Sequence, residues 1–421
     1  MPNTSHADAI ARAVTRQFAH LPSKRKPSIR DNGDYEWIPL SGIVAEHHGV
    51  FTCLALATGM KCLPVARLES AVGNVLHDWH AEVLALRTFN RFVLDECLSL
   101  SRGDDSATNI VVFASDHTAP PFRIRPGVKL HMYCSEAPCG DASMELVMAA
   151  QHDATPWDDP SPADSPLPGR GHFSRLGIVR RKPARADAPP TASKSCSDKL
   201  ALKQCTSLLC ALTSLFVDPS DAYIHTLVLP ASQFEPTACD RAFSATGRMA
   251  PVAAAAAGGC WSDGYAFRPF VVETTAERFG FSREVRAAAV DDLSVVSCSK
   301  AARPPSIVPC SVAAAWSVTS VDESIVGGVL QGRKPLDPRA ASRMSRRQMW
   351  TAAAALTVAL RALDEPTGRP VQPMDEPTYS QIKNGPLLAA RRTVKAEVRR
   401  TALVGWVASR LDSDFGRHIT A

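Results

Sequence analysis

Three short segments carry residue types that could hold a metal and move a proton: His80-Ala81-Glu82, Pro138-Cys139, and Ser195-Cys196-Ser197-Asp198-Lys199. Imidazole and thiolate are donors that zinc accepts, and three of them leave a fourth tetrahedral position for water. The metal brings the pKa of that water to about 7, so a nucleophile exists at neutral pH. A carboxylate that does not bind the metal must then take the water's proton and pass it to the reacting group. Glu82, two residues after His80, is the candidate for that task. Both stand at the N-terminal end of one expected helix, where the helix dipole favours negative charge.

Each segment alone is a weak signal. His-x-Glu and Pro-Cys arise often by chance, and a cysteine at a helix start is more often structural than a ligand. Their joint occurrence, in order and each beside a helix start, is more specific. Zinc deaminases of nucleobases carry H-x-E followed by P-C-x-x-C, with the histidine and both cysteines on the metal. Here Ala142 stands three residues after Cys139, so a second thiolate must come from elsewhere. Cys134 lies five positions earlier on an incoming strand, a poor geometry. Cys196 opens a strong helix pattern, where a thiolate is stabilised, and is the better candidate.

The elements that must position these residues follow from hydrophobic periodicity. Residues 7–20 read as a helix, and 37–58 as strand, turn, strand with His47-His48-Gly49 at the turn. Residues 80–100 read as a helix with Val83, Leu84, Leu86, Phe89, Phe92 and Val93 on its apolar stripe. Strands are expected at 108–114, 128–134, 223–229, 269–273, 311–319 and 326–330. Further helices are expected at 138–150, 197–215, from about 235, at 340–363 and at 386–411. Residues 151–192 are rich in Pro, Asp, Arg and Gly and lack apolar periodicity, which predicts a long loop or insertion. The mixture predicts an α/β fold, a mixed sheet flanked by helices.

Composition sets the outer bounds. The chain has 421 residues, 45% hydrophobic and 21% charged, with a net charge of +5. No run approaches the roughly 20 apolar residues of a membrane helix, and the first thirty residues lack a secretory core. The 12 cysteines are scattered singly, which predicts reduced thiols in the cytosol or nucleus. Basic residues gather at Lys24-Arg25-Lys26, Arg180-Arg181-Lys182, Arg343 to Arg347 and Arg391 to Arg400. Such clusters are either solvated surface or phosphate contacts.

The blocks His77 to Arg87, Pro138 to Ser143 and Ser195 to Lys199 resemble those of the editase domain, shared by RNA-editing and tRNA-specific adenosine deaminases. The resemblance runs from about residue 37 to 411. It implies a cytidine-deaminase-like core extended by a C-terminal helical half, behind an N-terminal helix and basic linker (1–36) and before a tail (412–421). It implies zinc on His80, Cys139 and Cys196, with Glu82 as proton shuttle, and the conversion of adenosine to inosine. No double-stranded-RNA-binding module precedes the domain, which points to the tRNA branch, acting on position 37 of alanine tRNA. The family also buries inositol hexakisphosphate, and the matching positions are Asp78, Arg87, Lys199, Arg346, Tyr379, Lys383, Arg391 and Trp406. An Asp78–Lys199 pair is expected to bridge the metal to that anion. Lys61, Arg180, Lys182 and Arg185 are expected to touch RNA, and the chain is expected to be monomeric. The alternatives are a catalytically weak RNA-binding paralogue or a deaminase of another RNA or nucleoside. Retention of Glu82 argues against the first.

Overall fold

The computed structural model describes residues 5–104, 108–115, 120–149, 167–168, 175–183, 188–257, 261–296, 304–334, 337–363, 374, 376–406 and 411–417. Its helices are α1 (His6–Ala19), α2 (Ala81–Ser101), α3 (Met144–Ala149), α4 (Cys196–Thr206), α5 (Pro236–Phe243), α6 (Ala250–Ala257), α7 (Arg283–Val296), α8 (Arg346–Arg361), α9 (Tyr379–Asn384) and α10 (Ala389–Thr401). They flank a mixed sheet of eight strands. The spatial order is Val271–Thr275, Ile224–Pro230, Lys129–Cys134, Leu40–His47, Val50–Thr58, Ala313–Ser317, Asp322–Val326 and Val329–Leu330. Ile224–Pro230 runs parallel to both of its neighbours, and the remaining pairs are antiparallel.

The central hairpin shows why these residues choose this form. His48 and Gly49 both take positive φ, 50° and 75°, the conformation that a two-residue turn needs to match strand twist. Along Leu40–His47 side chains alternate between two cores. Leu40 and Val44 pack with Ile10, Val14 and Phe18 of α1, whereas Ile43 and Ala45 pack with Phe89, Phe92 and Val93 of α2. Gly42 faces α1, and a Cβ there would stand 2.6 Å from Val14 Cγ1, so a bare backbone lets the helix settle. The N-terminal helix thus belongs to the same packed body as the strands that follow it.

Several element ends differ from the periodicity reading. The helix expected to reach residue 215 stops at Thr206, because Ser207 turns to φ 56°. The helix expected over 386–411 is two: α9, opened by a capping box of Thr378 and Gln381, and α10, with Pro386 between them. The helix expected from 340 begins at Arg346, capped by Ser345. Within the 151–192 stretch, the described residues include the bonded pair Leu167–Pro168 and Arg180–Arg181. No helix among the described residues is long and apolar enough to cross a membrane.

Candidate active site

His80 is the residue before α2, extended at φ −60° and ψ 146°, so its ring projects from the helix mouth. Glu82 follows in the first turn and is buried. Cys196 is the first residue of α4, whose N-cap Ser195 accepts from the Asp198 N–H at 3.1 Å. Cys139 lies on the turn between the strand Lys129–Cys134 and α3, just before Gly140 at φ 107°. A Cβ on Gly140 would come 2.3 Å from Ser195 Oγ, so glycine allows the Cys139 turn to rest on the start of α4.

These elements bring the donor atoms of His80, Cys139 and Cys196 within 4.8 Å of one another. Cys139 Sγ is 3.8 Å from His80 Nδ1, and it accepts the Cys196 N–H at 3.4 Å. The Cys139 thiol is held well below its ordinary range, first by the hydrogen bond from Cys196, then by Lys182 and His80. Burial, with the Cys139 thiolate nearby, pushes the Glu82 carboxyl up. A carboxylate raised in this way is a better proton acceptor than an exposed one.

Asp78 ties this cluster to what lies beside it. Its Oδ1 accepts the His80 N–H at 3.0 Å, and its Oδ2 accepts from Lys182 Nζ at 2.9 Å, from Ser193 Oγ and from Lys199 Nζ. Burial alone would raise the Asp78 carboxyl, but the two ammonium groups outweigh it and hold it well below the usual range. Cys62 also approaches His80 and Asp78. The Asp78 carboxylate is spent on lysines, which leaves that second grouping short of a free donor.

On the far side of Asp78 is a cavity of about 320 Å³. Arg87, Lys194, Lys199, Arg346, Lys383, Lys395 and Arg399 line it, with Asp78, His77 and Trp406. Burial, reinforced by neighbouring cations, pushes Lys194 and Lys383 down to about 8. Lys395 is pushed well below its usual range for the same reasons. The buried Arg399 Nε has no partner among the described residues, and its guanidinium stacks 4.8 Å over Trp406. Tyr379 is half-buried beside Lys383, whose Nζ is 5.6 Å from its ring centre. Lys199 is paired with Asp78 and Arg346 with Asp412, but seven cations crowded around one cavity outnumber these two carboxylates and form a fitting cradle for a polyanion.

Three expectations need correction here. Arg391 does not line the cavity; its guanidinium donates to the Thr206 and Leu209 carbonyls at 2.7 Å each. Lys182, expected at RNA, is 5% exposed and bonds Asp78 and, at 3.2 Å, Cys196 Sγ. Arg180, also expected at RNA, is 1% exposed and donates to the Arg175 carbonyl at 2.6 Å. Arg185 lies outside the described residues. Lys61 is exposed, and its carbonyl accepts the Trp79 N–H at 3.0 Å, next to the site.

Sequence reasoning missed Lys194 altogether, and nothing in its neighbourhood marks it. Lys395 and Arg399 belong to the basic run Arg391 to Arg400, whose crowding on one helix already calls for a neutralising anion, and both line the cavity. The segment assigned as tail also takes part. Asp412 accepts from the Gly73 N–H at 2.6 Å, bonds His77 at 2.7 Å and pairs with Arg346, while Phe415 stacks on Tyr379 at 5.2 Å.

A His-x-Glu helix start facing two cysteines from separate turns, on a mixed sheet, is the arrangement of a hydrolytic nucleobase deaminase. The chain belongs to the adenosine-deaminase (editase) domain family, whose model matches residues 55–410. It is therefore a deaminase enzyme. It is 40% identical over 289 residues to tRNA-specific adenosine deaminase 1 of Schizosaccharomyces pombe, covering 68% of this chain and 72% of that protein. It is 34% identical over 238 residues to the Saccharomyces cerevisiae protein of the same name, covering 53% of this chain and 58% of that one. Double-stranded RNA-specific editase Adar of Drosophila melanogaster is 25% identical over 240 residues, covering 53% of this chain and 33% of that protein.

Proposed function

We propose that the chain hydrolyses adenosine to inosine in tRNA, with one zinc ion on His80, Cys139 and Cys196. The observation that carries this is the meeting of those donors with the buried carboxyl of Glu82 at one helix mouth. The donor set fits the metal. Ligands on a tetrahedral zinc with bonds of about 2.0–2.3 Å stand roughly 3.3–3.8 Å apart, and His80 Nδ1 and Cys139 Sγ are 3.8 Å apart. When bound, zinc supplies Lewis-acid activation of water at neutral pH.

The protein's own groups do the rest. Glu82 accepts one proton from the attacking water and delivers it to the ring nitrogen, then takes the second from the hydroxyl now on the ring carbon and delivers it to the amine, which leaves as ammonia. Burial around Glu82 keeps bulk water from competing for that proton. The target base must leave its stack to reach this depth, which favours an unpaired loop nucleotide. Exposed Lys61 at the mouth suits contact with the backbone of such a loop.

The substrate class is supported by the relatives named tRNA-specific adenosine deaminase 1. Within it we assign position 37 of alanine tRNA, as the editase resemblance implies. We further assign inositol hexakisphosphate to the cation-lined cavity, supported by the seven cations that line it, by an Arg399 Nε without a partner among the described residues, and by the depressed Lys194 and Lys383. The scattered thiols suit a reducing compartment, cytosol or nucleus.

The test is deamination by the purified chain of an alanine tRNA transcript, beside the same transcript lacking adenosine at position 37 and beside free adenosine. Inosine is expected only in the first, and Glu82→Gln should abolish it while zinc content holds. Equal turnover of free adenosine would refute the substrate assignment. Undiminished turnover by Glu82→Gln would remove that residue from the mechanism. A folded, zinc-loaded wild type that makes no inosine in any RNA would favour the RNA-binding paralogue.

A further inference from the structure

Away from the deaminase site, His6, Glu46 and His131 bring two imidazoles and a carboxylate together, with donor atoms all within 4.8 Å of one another. They come from the first turn of α1 and from the paired strands Leu40–His47 and Lys129–Cys134. In that pairing Val44 opposes His131 and Glu46 opposes Lys129, so Glu46 and His131 are diagonal neighbours on the face that α1 covers.

The distances suit a shared ion. Glu46 Oε2 is 3.1 Å from His131 Nε2 and 3.5 Å from His6 Nε2. Two nitrogen or oxygen donors on one tetrahedral zinc, at about 2.0–2.1 Å, stand roughly 3.3–3.4 Å apart. The two imidazole rings meet at 80° with centres 5.0 Å apart. Rings bound through one nitrogen have centres about 3.2 Å from the metal, so a tetrahedral pair lies roughly 5 Å apart.

The surroundings point the same way. His6 Nδ1 lies 3.0 Å from Glu273 Oε2, and Nε2 on the other side of the ring faces a second carboxylate, Glu46, so the imidazole stands between two acidic groups. His131 is 1% exposed, and its Nδ1 is buried without a partner among the described residues. Lys129 Nζ, 3.8 Å from Glu46 Oε2, is more than half exposed and free to swing aside. His225 has its ring 6.2 Å from that of His131.

We propose that His6, Glu46 and His131 form a second site, for a divalent cation of the zinc class. Glu273 orients His6 as carboxylates orient metal-bound histidines, and water completes the shell on the exposed side. The ion fastens α1 to the sheet and takes no part in deamination.

The experiment equilibrates the full chain with excess zinc, desalts it, and measures metal per chain. His6→Ala and Glu46→Gln should each hold one equivalent less than wild type, and Glu273→Gln should bind that equivalent about 10–100-fold more weakly. Added zinc should raise the melting temperature of wild type but not of His6→Ala. Cobalt in place of zinc separates the two sites. The metal lost in His6→Ala should carry ligand-field bands alone, whereas the cysteine site adds thiolate charge transfer. His131→Ala opens a buried position, so His6→Ala, at a half-exposed residue, is the deciding variant, with wild-type deamination expected. If no equivalent depends on His6, the assignment is overturned, whatever the metal count at His80, Cys139 and Cys196. If His6→Ala instead removes the thiolate charge transfer, it is likewise overturned.

Discussion

Lys182→Met is the sharpest probe of how the site is built. The lysine is 5% exposed, with Nζ 2.9 Å from Asp78 Oδ2 and 3.2 Å from Cys196 Sγ. Methionine keeps the length and apolar stem but removes the charge. Of its side-chain partners Asp78 would be left with Lys199 and Ser193, and Cys196 Sγ would lose the ammonium 3.2 Å away. Removing one partner of a buried ion pair costs about 3–5 kcal/mol. Lys199 still bonds the same Asp78 oxygen, so the lower end, about 3 kcal/mol, is expected. Loss of a group that supports a metal ligand typically weakens the metal by about 10–100-fold. Denaturant unfolding reads the first number, and zinc transfer to a chromophoric chelator reads the second. RNA affinity at matched zinc loading should not change, because the ammonium does not reach the surface. Wild-type stability and zinc retention, or a selective loss of RNA affinity, would refute this placement of Lys182.

Gly140→Ala would set a Cβ 2.3 Å from Ser195 Oγ at a φ of 107°. A loss of at least about 2 kcal/mol is expected, seen as a lower melting temperature together with lower zinc content. Arg180→Ala should lower stability by about 2 kcal/mol, the cost of a buried charged group's hydrogen bonds, and leave RNA affinity per folded chain intact. The cavity should also register in proton counts. Lys194 and Lys383 sit at about 8 in the folded chain against an ordinary 10.5, so between those pH values the unfolded chain binds more protons. Without a bound anion, stability therefore rises as pH climbs through that window. Inositol hexakisphosphate should return both lysines toward their ordinary value, so its binding takes up protons at pH 9 and few at pH 6.5. Titration calorimetry in buffers of different ionisation heat reads the uptake, and none at pH 9 would refute the cavity's charge state.

What the sequence made legible follows from how local each signal is. His80 and Glu82 are read from one helix start, because the apolar stripe of α2 fixes where that helix faces. Cys196 is read from the pattern of the helix it opens. The roles of Arg180 and Lys182 were not legible, because a basic run reads by default as surface. What buries Lys182 is Asp78, 104 positions earlier in the chain, and no local pattern reports such a meeting. Arg391 went astray for a related reason. Periodicity carries the α4 helix too far, and its early end at Thr206 frees the very carbonyls, of Thr206 and Leu209, that capture the guanidinium. Asp412 and Phe415 lie in a stretch without periodicity, so their contacts with His77, Arg346 and Tyr379 left no trace in the sequence.

Asp78 stands between two opposite electrostatic demands. On one side the thiols of Cys139 and Cys196 and the carboxyl of Glu82 gather negative charge; on the other, seven cations gather positive charge. Its two oxygens divide the work. Oδ1 takes the His80 N–H and so fixes where α2 begins, while Oδ2 takes both lysines. The lysines are not equivalent. Lys199 lines the cavity and is open to any polyanion there, whereas Lys182 does not line it and leans on Cys196. A polyanion would thus draw on Lys199 and leave Lys182 to hold Asp78, and through it His80, in place. The same geometry explains why a basic cavity can lie against a cluster of imidazole and thiols without pulling it apart: the one carboxylate between them is bonded to both sides.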